Sequence, residues 1–170
     1  AAYRAATARQ DVTPDAWNNL GLVLERMGAT EDAIAAFEAA LRQAPDFLMA
    51  SANLAALLID QGHLEAAIRA SQLALSHGPA NVPAQINFGV ALLEQGRHGE
   101  AERAFAAALA VAPNNTDAGD NALYLQHYML NDPAAVIAAH AAWGSRRAAA
   151  LTPAAPHSPK KTERLRIGYV

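Results

Sequence analysis

An all-α solenoid of antiparallel helix pairs is the fold class this sequence predicts, and three observations predict it. The chain repeats at a step of 34 residues: Asn19, Asn53, Asn87 and Asn121 fall on it, and Pro45, Pro79 and Pro113 close successive units. Glycine recurs at one register (Gly28, Gly62, Gly96) and alanine at two others (Ala33, Ala67, Ala101; Ala40, Ala74, Ala108). The chain is 52% hydrophobic but only 6% aromatic, with alanine supplying the difference. Alanine is the best helix former, and its small side chain lets helices approach closely. A fixed period of this size marks a stacked-repeat architecture.

Each unit reads as two helices. In residues 14–47 the apolar positions Trp17, Leu20, Leu24 and Met27 lie on one stripe of a 3.6-residue helix. Pro14 suits a first helical turn, with Thr13 before it as N-cap. Gly28 ends the helix, as glycine does where a left-handed residue is needed. Thr30 is expected to cap the second helix, followed by the acidic first-turn pair Glu31-Asp32. Ala33, Phe37, Ala40 and Leu41 form its buried face, and Pro45 stops it. Ser71 breaks the register that Phe37 and Phe105 share.

The same layout predicts a unit at 48–81 with helices near 48–61 and 64–77, and a unit at 82–115 with helices near 82–95 and 98–111. Residues 1–13 read as the end of a preceding unit, since Tyr3 and Ala6 stand 34 before Phe37 and Ala40. A stack that starts inside a unit exposes an apolar face, so further repeats are expected before it. The last unit, 116–148, diverges. Leu130 stands where glycine is expected, and Asn131-Asp132-Pro133 opens a helix running to about 148. Residues 149–163, rich in proline and charge, read as a linker. Residues 164–170, which end in "LRIGYV", read as one orphan strand, the first of a following α/β domain that is cut off.

Charge and composition exclude several classes. Residues 1–145 carry 7 basic and 15 acidic side chains, a balance of −8, against 6 basic and 1 acidic (+5) in residues 146–170. The helical part has no basic stripe for phosphates, so no nucleic-acid partner is expected. No apolar run reaches the ~18 residues that span a bilayer, so no membrane partner is expected. The chain has no cysteine, which removes disulfides and thiolate metal sites and suits a reducing, cytoplasmic compartment. Oligomeric state is open, with a homo-oligomer among the options.

No catalytic, metal or cofactor residue is assigned. None of the six histidines pairs at i, i+4, and there is no zinc-protease spacing and no glycine-rich phosphate loop. His63 and His98 fall in inter-helix turns and are expected to be solvated. His127 and His140 face each other across the last helical hairpin. A structural hydrogen-bonded pair or two separate surface residues is the plain reading there, with metal or catalytic roles as its rivals.

The set Trp17, Leu20, Gly21, Ala33, Phe37, Ala40 and Pro45 resembles the tetratricopeptide repeat, over about residues 1–130. Ser51 and Gln85 replace the tryptophan in the next two units. A second resemblance lies at His127-Tyr128, Asn131-Asp132-Pro133, His140, Trp143-Gly144 and Leu165 to Val170. This stretch looks like the junction in O-GlcNAc transferases and SPINDLY-like proteins, where tetratricopeptide repeats run into a two-lobed glycosyltransferase. The resemblance implies the substrate-recognition arm of an enzyme that moves a sugar from UDP-N-acetylglucosamine to Ser or Thr. The transfer machinery would lie beyond Val170, so the 170 residues alone are expected to be inactive. The rival is a non-enzymatic tetratricopeptide adaptor or co-chaperone.

Asn19, Asn53, Asn87 and Asn121 are the candidate binding residues. If they face the inner wall of the superhelix, four amides line one groove. A primary amide donates twice and accepts, so it can bond both an N–H and a C=O of an extended peptide. Helices packed ~10 Å apart would meet a strand rising ~3.3 Å per residue at about every third residue. The O-GlcNAc transferase resemblance also implies an asparagine ladder. The partners expected are extended segments of protein substrates. The competing reading is that the same amides only tie neighbouring helices together. Under the gripping reading, Asn53 and Asn87 should be replaceable by alanine with little loss of stability.

Overall fold

The structure is a computed structural model that describes residues 12–130 and 132–150. The described residues form eight helices in antiparallel pairs: α1 Pro14–Arg26, α2 Thr30–Gln43, α3 Leu48–Asp60, α4 Leu64–His77, α5 Val82–Glu94, α6 His98–Val111, α7 Thr116–Met129 and α8 Pro133–Ala150. Six of these lie within a residue of the ranges the 34-residue step predicts. Residues 1–11 of the preceding unit, the Asn131 cap, residues 151–163 of the linker and the 164–170 strand fall outside those described, and residues 149 and 150, expected in the linker, belong to α8.

Local chemistry sets the boundaries. The Thr13 hydroxyl accepts from the Ala16 N–H at 3.3 Å, with Pro14 in the first turn. Gly28, Gly62 and Gly96 take φ of +72°, +72° and +73°. The residue after each glycine donates its N–H to a carbonyl five positions back: Ala29 to Leu24, His63 to Leu58 and Arg97 to Leu92. That pattern closes a helix end and requires the left-handed residue glycine tolerates. Thr30 does not cap α2: it is the first helical residue, and Ala29 precedes it without a side-chain cap. Two caps were legible but unassigned. Asn81 and Asn115 each accept from an N–H three residues on, Ala84 at 3.0 Å and Ala118 at 2.9 Å. α7 ends on Leu130 in extended conformation. The Asp132 carboxylate, accepting from the Ala134 N–H at 2.9 Å, opens α8. α8 runs two residues past the expected 148, a shift within the usual uncertainty of helix ends.

The alanine registers are the seams of the stack. Ala33, Ala67, Ala101, Ala40, Ala74 and Ala108 are all fully buried. Between the two helices of a unit, large and small residues alternate. A Cβ on Gly21 would stand 2.5 Å from the Phe37 ring, and one on Gly89 2.5 Å from Phe105. Glycine is therefore required for each ring to lie against the helix backbone. In the middle unit both members change: Ala55 replaces the glycine and Ser71 the phenylalanine, and both are fully buried. The added methyl of Ala55 takes back only part of the space the missing ring leaves, so other side chains close the rest, as close-packed interiors demand.

First helices of successive units pack on one another, α1 on α3, α3 on α5 and α5 on α7. No comparable packing joins successive second helices. A stack held closer along one row than the other curves, with the closer row inside. The concave wall is therefore built of α1, α3, α5 and α7.

Candidate peptide-binding surface

Each wall helix repeats the same register along one face. Asn19, Asn53, Asn87 and Asn121 occupy equivalent positions on it, with Leu22, Ala56, Val90 and Tyr124 one turn later and Arg26, Asp60, Glu94 and Tyr128 one turn beyond. The structure thus places the four predicted residues on one row of four adjacent helices. Their hydrogen bonding differs from copy to copy.

Asn53 donates to the Oδ1 of Asn18 at 2.9 Å, and Asn87 donates to the carbonyl of Ala52 at 2.8 Å. Each partner lies 35 residues earlier, on the wall helix of the preceding unit. These two amides therefore tie consecutive units. Each retains Oδ1 and a second N–H, because a primary amide offers two donors and an acceptor. Asn19 is exposed, and its side chain makes no hydrogen bond among the described residues. Asn121 donates to the Asp117 carbonyl of its own helix at 2.8 Å.

Asn18, next to the first ladder position, is 3% exposed. Its oxygen is the buried acceptor of the first tie. The expectation that Asn53 can be replaced at little cost is revised accordingly, because removing its donor strands a buried acceptor. Asp120 accepts from the Trp143 indole N–H at 3.0 Å and lies 3.9 Å from Arg147. No positional signal marks either residue, since both partnerships cross between helices at offsets other than 34.

The far end of the wall is aromatic. The Tyr124 and Tyr128 hydroxyls are 2.7 Å apart, and the Tyr128 ring stacks on His98 at 5.2 Å between centroids. His98 is thus half-buried against a ring and not simply solvated. The hydrogen bond to Tyr124, with some burial, raises the Tyr128 phenol above its ordinary range. At the turns, Arg97 pairs with Glu100 at 2.8 Å, which raises the guanidinium and lowers the carboxyl. Across that edge Gln95 donates to Glu65 at 2.8 Å.

Charge on the wall is sparse and acidic. Arg26 is the only lysine or arginine in the four wall helices, against Asp15, Glu25, Asp60, Glu94, Asp117 and Asp120. Among the described residues no group of three or more His, Asp or Glu side chains is arranged to hold a metal ion. None of the described helices is long and apolar enough to cross a membrane.

Tetratricopeptide-repeat models match residues 1–47 and 64–123. No curated protein matches the chain. Among solved structures it is similar to MamA 41-end from Desulfovibrio magneticus RS-1, at 16% identity over 86% of this chain and 82% of that one, with a TM-score of 0.73. It is similar to the Arabidopsis OM64 TPR domain at 20% identity, covering 68% of this chain and 96% of that one, with a TM-score of 0.65. The first TPR of Spaghetti (RPAP3), bound to the HSP90 peptide SRMEEVD, aligns at 17% identity over 69% and 93%, with a TM-score of 0.66. These likenesses are likenesses of fold. Period, turn glycines, buried alanine seams and matched models agree, and the chain belongs to the tetratricopeptide-repeat family.

Proposed function

We propose that this chain is a protein-binding scaffold that takes an extended polypeptide segment along its concave wall. The observation that carries the reading is the row of adjacent wall helices with Asn19, Asn53, Asn87 and Asn121 at equivalent positions. The ties made by Asn53 and Asn87 hold those amides in fixed orientation and leave an acceptor and a donor free. Amides of this kind contact peptide backbone, which every sequence has. The Spaghetti repeat domain is a fold relative that holds an acidic peptide. The wall here, with one arginine among its acidic groups, favours neutral or basic segments instead.

The junction residues His127-Tyr128, Asp132-Pro133, His140 and Trp143-Gly144 support a finer reading. In it the scaffold is the substrate arm of a polypeptide O-linked glycosyltransferase, using UDP-N-acetylglucosamine in the whole protein. A non-enzymatic adaptor is the second reading, favoured by the matched models and structures being repeat scaffolds. Sequence beyond Val170 separates them: two nucleotide-sugar-type lobes support the first, and any other continuation supports the second.

Asn19→Ala and Asn53→Ala together test the gripping role. Each backbone hydrogen bond is worth ~0.5–1.5 kcal/mol net, or about 2- to 10-fold in Kd. Fluorescence anisotropy with several unrelated extended peptides should show losses of that size for both variants. Asn19→Ala should leave the melting temperature unchanged, because the Asn19 side chain makes no hydrogen bond among the described residues. Unchanged affinity in a folded Asn19→Ala/Asn53→Ala protein would reduce the ladder to scaffolding.

A further inference from the structure

We propose that His127 on α7 and His140 on α8 form a two-imidazole site for a borderline-soft divalent cation of the zinc type, bridging the last two helices. The Nε2 atoms of the two rings point at each other across 3.3 Å, with ring planes at 62°. Zinc–imidazole bonds of ~2.0–2.1 Å at a tetrahedral angle put two nitrogens about 3.4 Å apart. The rings therefore already hold the bite a tetrahedral ion needs. Without an ion the same 3.3 Å lies within hydrogen-bond reach, one imidazole N–H donating to the other ring.

The surroundings fit this chemistry. Both rings are exposed, so an ion reaches them without opening the fold. The backbones are fixed by a helix on each side and by the Trp143–Asp120 bond, which lies on the same α7–α8 seam. Neutral imidazole, unlike a carboxylate, selects zinc, nickel or copper over magnesium and calcium. No third His, Asp or Glu ligand joins the pair among the described residues. Two coordination positions consequently face solvent and would hold water or a donor from a bound partner. The ion would act as a clasp on α8, whose only buried side chain among those described is Trp143.

Zinc chloride titrated into the full chain, followed by thermal melting and calorimetry, tests the site. The wild type should melt at higher temperature with zinc than with chelator, because a ligand that binds only the folded form stabilises it. His127→Gln and His140→Gln should each weaken zinc binding at least tenfold, and the double variant should be no weaker than either. Both positions are exposed, so the variants should keep the wild-type circular dichroism spectrum. In long-range proton–nitrogen spectra zinc should shift the Nε2 resonances of these two rings and leave Nδ1 protonated. An equal zinc response in wild type and variants would place the ion on other histidines and overturn the proposal. No zinc-dependent shift at millimolar zinc would overturn it as well.

Discussion

The first unit and the last one solve the same packing problem in opposite ways. In the first unit Trp17 rises from the wall helix and Phe37 from the outer helix, against Gly21. In the last unit the counterpart of Trp17 is Gly119, and the outer helix supplies Trp143. A Cβ on Gly119 would overlap the Trp143 indole, so the ring lies where the wall helix has no side chain. The aromatic has changed helices. The earlier outer helices are also sealed by buried alanines at two registers, whereas α8 buries only Trp143 among its described side chains. A repeat stack is therefore uniform where each unit has neighbours on both sides. Its last described hairpin relies on one anchor.

The largest effect that would sharpen this contrast is expected from Trp143→Ala. Loss of a buried tryptophan costs ~3–5 kcal/mol, and Trp143 is the only buried side chain among those described on α8. Hydrogen exchange should lose its protection over residues 133–150 and keep it over α1 to α6. Uniform loss across the chain would mean that the stack unfolds as one unit and the contrast is false.

Gly89→Ala is next. Its Cβ would meet Phe105 at 2.5 Å. Overpacking costs ~1–3 kcal/mol, partly offset by the better helix propensity of alanine, ~1 kcal/mol. A net loss of up to about 2 kcal/mol should appear in urea unfolding. A neutral result would show that the ring swings aside and that glycine is not required there.

Asn53→Ala should cost about 1–2 kcal/mol by stranding the buried Asn18 oxygen. Asn121→Ala, which breaks only a bond within α7, should cost less. Equal losses in denaturant melts would remove the distinction between tied and untied joints.

The smallest effect is a gain. The Ser51 and Ser71 hydroxyls in the middle unit are buried without hydrogen-bond partners. Ser71→Ala should raise stability by about 1 kcal/mol. A loss at this position would mean that the hydroxyl has a partner, such as a buried water.

What the sequence made legible is what repeats. A 34-residue step carries helix ends, turn glycines and alanine seams, because each depends on neighbours within a turn or on the same position in the next unit. It also carried the row of asparagines and the facing histidines. It did not carry the Asn53–Asn18 tie, whose partner sits 35 residues back and looks like an ordinary neighbour of the ladder. Nor did it carry the Trp143 anchor, which exists because glycine stands at a tryptophan register on another helix. Thr30 misled for a related reason: a threonine next to a turn looks like a cap, but the glycine-closed turn places the helix start one residue earlier than a cap would need.

The uneven ties along the wall have a mechanical meaning. Side-chain bonds lock the joint between the first and second units, and the joint between the second and third. At the third joint Asn121 turns back to Asp117, so packing alone resists twist there. Under torque the stack is a stiff rod of three units with a compliant end link. Changes in superhelical pitch concentrate between α6 and α7, and a segment lying along the wall meets a rigid register over most of its length and an adjustable grip at the tyrosine end.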